Sequence, residues 1–585
     1  MQNNKEKKRL AILGGGPSGL FMFKRLIEAK EAVLEISIFE KKKQLGAGMP
    51  YSIEGANVEH ITNVSDNEIP KIVTSIEEWV QTAPKEILDR FNITPANFNE
   101  YKVLPRLFFG EYLNAQFELL LVQAKEIGVV IDLHKQSKVV DIIDDPEKNE
   151  VRVELEDGQF FNFDHVIVCT GHNWPSYYEG KVSGYFDSPY PPSKLALKLN
   201  HPVALKGSSL TAIDAIRTLS RKNGTFETNS NGKLCYQLAA GSEQFKLMMH
   251  SRNGLLPAVR FHLEDSHLGN DNLLTVAELE AHKAANNGFL SLDYIFEHDF
   301  IAMFRDKKPE FYERIKNMNI ESFVEMMMDF REKIPPFDLL RREYEEAARS
   351  IKRKESVYWK EMLAVLSFAM NYPAKYLSAE DMQRLQKVLM PLISIVIAFV
   401  PQSSCNELLA LHDAGVIDIV AVGDDSEIEV HDKGGITYHY ETEEGEKVSA
   451  YFETFVDCVG QPHLSYEDFP FKSLYNQGVI SQARLRFKSD AEGERALREG
   501  NKKVEKDGDG SYYLKVPGIT INDQYQVVDD DGNTNNRISM MAVPYIGGFN
   551  PDYSGLDFSE AASAKILKAL GVRSPHRGYS EKLKD

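Results

Sequence analysis

The chain has 585 residues, 43% hydrophobic and 26% charged, which suits a protein with a real core and excludes fibrous or largely disordered architectures. Its 68 basic and 87 acidic side chains leave a net charge of −19, which repels phosphate backbones and sets nucleic acid aside as a main partner. The four cysteines (Cys169, Cys235, Cys405, Cys458) form no C-x-x-C pair, so neither a disulfide framework, a zinc ribbon nor a dithiol centre is expected, and no metal site is predicted.

At the N-terminus only Leu10–Leu13 are apolar before glycines begin, which does not match a signal peptide. Arg9–Leu13 reads as a short buried strand, followed at once by Gly14-Gly15-Gly16-Pro17-Ser18-Gly19 and a helix with Leu20, Phe23, Leu26 and Ile27 on one side. This is G-x-G-x-x-G in its strand–turn–helix context. Gly14 permits the tight turn, Gly16 admits a pyrophosphate close to the backbone, and Gly19 lets the helix pack against the strand. Pro17 and Ser18 open the helix, whose free N–H groups and positive dipole end suit phosphates. A second strand, Leu34–Phe39, ends at Glu40, about 20 residues past Gly19, where a carboxylate accepts ribose hydroxyls. Glu40 and Lys41 lead into a second glycine pair, Gly46-Ala47-Gly48, placed to pass close to a pyrophosphate and ribityl chain. A matching C-terminal piece runs from Pro544 through Gly548 to Gly555-Leu556-Asp557. There Asp557 and Glu560 form a capping-box pattern for a helix around Phe558–Leu570. A helix start aimed at a flavin would stabilise negative charge on the reduced ring. These features favour FAD over NAD at the first site.

The next unit reads less clearly. Pro202–Leu205 is a candidate strand, followed by Lys206-Gly207-Ser208-Ser209-Leu210-Thr211-Ala212 and a helix. Ser209 stands where the second glycine is expected. Strand Phe245–His250 ends at Ser251-Arg252, where an arginine suits the 2′-phosphate of NADPH. Glycine then thins out and helical spacing dominates, as in Glu321–Phe330 and Trp359–Met370. Val388–Val400 is an apolar run of 13 residues containing Pro391, against the ~20 needed to span a bilayer, so a buried helix is predicted. No membrane association is expected, and a cytoplasmic location is the default. Strand and turn signals return after Pro401.

The ordered set resembles a known group. The residues that carry it are Gly14–Gly19, Ile38-Phe39-Glu40, Gly46–Ser52, Ile61–Val64, Leu104–Leu113, Val168–His172, Ser251–Pro257 and the C-terminal glycine segment. Together they resemble the two-dinucleotide-binding flavoproteins, within them the bacterial FAD/NAD(P)-binding oxidoreductases related to amine N-hydroxylating and urate-hydroxylating monooxygenases. The resemblance implies an α/β fold with two Rossmann-like domains, one for FAD and one for NAD(P)H, and an all-helical insertion. The expected division is 1–190 (FAD domain, first part), 191–262 (NAD(P)H domain, first part), 263–400 (helical insertion or lid), 401–454 (NAD(P)H domain, second part) and 455–585 (FAD domain, second part).

Val166–Gly171, containing Thr170 and Gly171, resembles the point where the chain leaves the FAD domain, and Phe455–Gly460 its counterpart on returning. The implied FAD ligands are Gly14, Gly16, Pro17, Ser18, Gly19, Glu40, Lys41, Gly48, Asn63, Arg106, Thr170, Gly171, Gly548, Gly555 and Leu556. For the second nucleotide they are Gly207, Ser209 and Arg252. Asn63, as an amide near the ring, and His172, as a proton carrier, are the catalytic candidates, each weighed against a structural role. Arg106 is read as a counter-charge for cofactor or substrate. Met326–Met328, Phe330, Tyr344, Trp359, Phe368 and Met370 suit an apolar lid wall or a plain helical core.

Three functions stay open. The first is an NADPH- or NADH-dependent FAD monooxygenase, in which O2 adds at flavin C4a and one oxygen passes to a small polar substrate. The second is an FAD oxidoreductase without oxygen insertion. The third is a flavin-binding redox sensor with little turnover, which the Ser209 departure favours.

Overall fold

The strand Lys8–Leu13 joins the two ends of the chain. Leu10 to Leu13 are fully buried, the pattern of a parallel strand covered on both faces. It pairs in parallel with Leu34–Glu40 on one side and His165–Val168 on the other. Leu34–Glu40 continues to Val130–Lys135, and His165–Val168 to Thr534–Met540, with Gln526–Val528 antiparallel at the edge. The resulting six-stranded sheet runs in the order 526–528, 534–540, 165–168, 8–13, 34–40, 130–135. The computed structural model describes residues 7–30, 34–171, 174, 176–263, 273–461, 464–551 and 555–572.

A second, five-stranded sheet is parallel throughout, in the order 417–421, 246–251, 202–206, 454–457, 185–186. It repeats the plan of the first. In the first sheet an antiparallel meander (Val139–Asp145, Glu150–Leu155, Phe160–Phe163) leads into His165–Val168 and Cys169. In the second, a meander of Glu427–Val430, Ile436–Glu441 and Lys447–Phe452 leads into Thr454–Asp457 and Cys458. Segment 455–460 is therefore the second sheet's own equivalent of 166–171. The chain crosses between the sheets before Tyr185 and after Asp457, instead of at residues 190 and 455, because the 185–186 and 454–457 strands pair with each other.

The described helices between the sheets include Val276–Ala285, Leu292–Asp299, Ile320–Glu332, Pro336–Arg353 and Tyr358–Ala369. Phe296, Phe300, Phe304 and Phe323 interlock there at ring separations of 5.0–5.6 Å. The apolar run predicted as one helix is divided. A π turn at Leu385–Leu389 precedes a short helix, Met390–Val396, so Pro391 falls in its first turn, where a missing N–H costs nothing. Lys375 and Tyr376 bind Asp523 at 2.7 and 2.9 Å, and Glu380 accepts the backbone N–H groups of Lys488 and Ser489. These contacts tie the helical region to the C-terminal part of the first domain, with which most of its helices share one hydrophobic core, whereas Phe337, Leu340 and Ala347 of Pro336–Arg353 pack into the core of the second sheet.

The C-terminal helix spans Gly555–Ala569, starting before the predicted cap, so Asp557 lies inside its first turn. Glu560 closes no capping box with Asp557. It binds Lys24 at 3.0 Å and also Arg25, fixing this helix against Pro17–Glu28.

Each sheet buries one histidine. His165 bonds Ser539 at 3.0 Å, and His250 stacks on Tyr438 at 4.3 Å. Burial pushes their pKa values down to about 3 and about 4. The unfolded chain protonates both near 6.5, so their contribution is complete above that pH and is lost as pH falls toward 4. At pH 5 each is expected to cost roughly 2 kcal/mol. Chemical denaturation at pH 7 and pH 5 checks this: His165→Gln should flatten the pH slope, and an unchanged slope refutes the assignment.

Candidate functional site

The first turn is shaped by close approaches. Gly14 has φ of +107°, and a Cβ there would lie 2.6 Å from the Cys169 carbonyl oxygen, so only glycine fits beside the neighbouring strand. A Cβ on Gly19 would sit 2.0 Å from the Gly14 oxygen, which is how closely the helix seats on the turn. Gly16 begins the helix in extended conformation, with no side chain capping it. The Ser18 and Gly19 amides therefore lack intrahelical acceptors, as helix starts do. Glu40 Oε2 accepts the Gly15 N–H at 2.8 Å and Oε1 the Lys42 N–H at 2.9 Å, so its carboxylate is fixed beside the turn. The second glycine run seats on the first: Gly46 donates to the Gly15 carbonyl at 2.7 Å, and Gly16 faces Gly48 closely enough that a Cβ would meet its Cα at 3.2 Å.

A cavity of about 410 Å³ opens from this turn. Gly14, Gly16, Pro17, Ser18, Glu40, Lys41 and Gly48 line it, together with Asn63, Thr170, Gly171, Gly555, Leu556 and Asp557. Ala364, Ile397 and Phe399 reach it from the helical region. Phe399 holds a left-handed φ of +51°, at a cost of about 1 kcal/mol, with its ring edge-on to Phe261 at 5.2 Å. Tyr51, also in the wall, packs edge-on to Phe109 at 4.7 Å, and burial pushes its hydroxyl above the usual phenol range, keeping it a neutral O–H. A side-chain-free turn, an uncapped helix start and a fixed carboxylate fit the diphosphate and ribose of a dinucleotide.

The second turn copies the first at the backbone. Gly207 has φ of +109°, its N–H donates to the His250 carbonyl at 2.7 Å, and a Cβ there would lie 2.9 Å from the Cys458 oxygen. Ser209 takes nearly the same angles as Gly16 (−90°, −163° against −77°, −164°), so the serine changes only what occupies the space beside the turn. Arg252 ends its strand exposed and 3.7 Å from Asp424.

Residues 11–173 match the model of a family described as FAD-NAD(P)-binding, and residues 275–397 that of a YdhS-like middle domain. A curated relative, the uncharacterized protein YdhS of Escherichia coli K12, is 29% identical over 479 residues, 80% of this chain and 86% of that protein. Among solved structures, an ornithine N-hydroxylase of Kutzneria sp. 744 is similar over 97% of this chain and 99% of its own (TM-score 0.46, 11% identity). A cyclohexanone monooxygenase of Rhodococcus sp. Phi1 is similar over 99% and 88% (TM-score 0.44, 12% identity).

Within the first domain, the cavity gathers Gly14, Gly16, Pro17, Ser18, Glu40, Lys41, Gly48, Asn63, Thr170, Gly171, Gly555 and Leu556. Gly19 packs beneath the turn, and Gly548 packs on Val516 and Pro517. His172 lies outside the described residues. The aromatic and methionine side chains expected as a lid wall are not among the cavity's described lining, and Phe330 is exposed; the YdhS-like middle domain contributes Ala364 and Ile397 instead.

Arg106 does not line the cavity. It binds Asp214 Oδ2 at 2.5 Å and the Ile61 carbonyl at 3.2 Å, while the Tyr190 hydroxyl donates to the same Asp214 oxygen at 2.6 Å. His60 bonds the Asp214 carbonyl and the Thr218 hydroxyl, both at 3.1 Å. The cluster locks the first domain to helix Leu210–Asn223 of the second unit. Burial acts to raise the Asp214 carboxyl, and Arg106 overrides it, holding the group below the usual carboxylate range. Sequence reading also missed Arg260 and Glu68, a buried ion pair on which Ser65 and the Asn63 carbonyl converge. Their signal was a lone charge in an apolar stretch: Arg260 within Leu255–Leu263, and Asp214 on a buried helix.

Arg106→Ala is expected to lose about 3–5 kcal/mol by stranding a buried carboxylate, and Arg106→Ala/Asp214→Asn to recover much of it. Denaturant unfolding of the single and double variants checks this. Equal stability of the two would show that the Arg106–Asp214 charges are not coupled.

Proposed function

We propose that the chain is an FAD-dependent oxidoreductase that takes electrons from NADPH or NADH and acts as a monooxygenase on a small polar molecule. One observation carries the reading: a single cavity is lined jointly by the Gly14–Ser18 turn, by Thr170–Gly171 and Gly555–Asp557, and by Ala364, Ile397 and Phe399. When bound, FAD would accept a hydride from the nicotinamide and, once reduced, activate dioxygen.

The residues present suit each part of that task. Ser18 and Gly19 offer amides to the diphosphate, and Glu40 offers carboxylate oxygens to the ribose. The start of Gly555–Ala569 lines the cavity, and its positive dipole end would stabilise negative charge on a bound, reduced flavin. Ala364, Ile397, Phe399, Met541 and Val543 make an apolar wall that excludes water from the oxygen-activating end. Arg260 fixes the backbone carbonyl of Asn63, a residue that lines the same space and whose amide would be the hydrogen-bond donor there. Gly207, Ser209 and Arg252 are the proposed nicotinamide-nucleotide contacts. The division of the chain follows from this: both ends form the FAD unit, and the 185–263 and 401–457 segments the NAD(P)H unit.

Gly16→Val should give a folded but colourless protein, because its side chain fills the space between the turn and Gly48. Full flavin content in this variant would sink the site. Anaerobic mixing of the flavin-loaded protein with NADPH or NADH should bleach the flavin absorbance. Oxygen should then be consumed with substrate hydroxylation when a responsive small polar compound is present.

A second reading, a flavin protein with little turnover, draws on Ser209 beside the second turn and on Asp424 beside Arg252. No bleaching with either nucleotide selects it. If nucleotide does bind, Asp424→Asn should lower the KM for NADPH several-fold and leave that for NADH unchanged, since it frees Arg252 for a 2′-phosphate. Equal effects on both nucleotides refute that role.

A further inference from the structure

A second cavity, of about 640 Å³, lies across a thin partition from the first. The partition is segment 61–68 together with Arg260. Asn63, Val64 and Glu68 line the first cavity, whereas Ile61, Ser65 and Arg260 line the second. Arg260 and Glu68 are 6% and 8% exposed, and Arg260 also donates to Ser65 Oγ at 2.8 Å, so the partition is a closed polar lattice. The second cavity thus has its own walls and is not an extension of the cofactor space.

Its lining has a consistent chemistry. Phe91, Leu104, Phe261 and Ile351 supply apolar surface from three parts of the chain. Lys102, Lys354 and His262 are basic, and no Asp or Glu is among the described lining residues, in a chain whose net charge is −19. Neither lysine has an ion-pair partner among the described residues. Gln402, also in the wall, has its Nε2 buried without an acceptor among the described residues, an arrangement that native structures rarely leave unmet. An apolar cavity with a few convergent polar groups is the usual form of a small-molecule site.

We infer that this second cavity binds an amphiphilic organic carboxylate, its charge neutralised by Lys102 and Lys354, its apolar body against Phe91, Leu104, Phe261 and Ile351, and an oxygen accepting from Gln402. The inference does not depend on the redox reading, since none of these residues lines the first cavity.

The test uses the full-length chain, as purified and with FAD added, and 8-anilinonaphthalene-1-sulfonate as a fluorescent amphiphilic anion. Decanoate and 3-phenylpropionate distinguish an aliphatic from an aromatic body, and decan-1-ol serves as the uncharged control. The expected result is saturable probe fluorescence, displaced by at least one of the two carboxylates at a concentration where decan-1-ol has little effect. Lys102→Glu/Lys354→Glu should raise the probe's dissociation constant at least tenfold while flavin content stays at the wild-type level. Ile351→Trp, a change at a half-exposed wall position that narrows the cavity without altering its charge, should weaken probe binding several-fold and guards against misfolding of the charge-reversed chain. Binding unaffected by either variant, or displacement by decan-1-ol equal to that by the carboxylates, overturns the proposal.

Discussion

The crossing of the Gly14 turn beneath the Cys169 carbonyl is the constraint on which the rest of the molecule depends. A turn that tight, at φ of +107°, is reachable because the strand His165–Val168 lies directly beside Lys8–Leu13. That same strand accepts Thr534–Met540 on its other edge. One central strand therefore holds both chain ends, and helix Gly555–Ala569 arrives beside helix Pro17–Glu28, where Glu560 meets Lys24 and Arg25. The long stretch between them can differ widely without disturbing this arrangement, provided it leaves and returns at the right strands.

The parts legible in the sequence are those fixed by local physics. Strand, glycine turn and helix follow one another within a few residues, and each glycine answers to a contact with its immediate neighbours or with the adjacent strand. The carboxylate of Glu40 was legible for the same reason, since it ends the very next strand. What was not legible depends on residues far apart in sequence. Arg106 looked like a counter-charge for a ligand, but its partner, Asp214, sits on another unit, and no spacing rule connects positions separated by 108 residues. The Asp557–Glu560 pattern was a true capping-box spelling in a helix that begins earlier, so the glutamate was free to bind Lys24. The crossing points were misplaced because the two-residue strand Tyr185–Phe186 carries almost no periodic signal.

The middle helices bear on what controls the cavity. Most of them share a hydrophobic core with the first domain, Pro336–Arg353 packs into that of the second sheet, and the region is fastened to the first domain's C-terminal part by the Lys375–Asp523 pair and by Glu380 on the Lys488 and Ser489 amides. A lid that opens by rigid rotation would have to break buried apolar packing as well as these bonds. Access is more economically provided by small side-chain movements near Phe399, which already stands in a left-handed backbone conformation between Phe261 and the cavity. Strain of this kind is retained where surrounding packing over-determines it.

The two turns are near copies in backbone, which makes the difference between them chemical and not architectural. Both carry a left-handed glycine under a cysteine carbonyl, and both begin their helix at a residue with extended angles and no side-chain cap. At the first turn that residue is glycine, lying against Gly48; at the second it is serine, exposed to solvent. The fold thus supplies the same backbone turn twice and leaves the difference to side chains around it. Glu40 stands beside the first turn, and Arg252, shared with Asp424, ends the corresponding strand of the second. A carboxylate suits ribose hydroxyls, whereas an arginine already compensated by an aspartate has less charge to offer a phosphate. Under the proposed function, the balance between the nicotinamide nucleotides would rest on that exposed pair and not on the sheet beneath it.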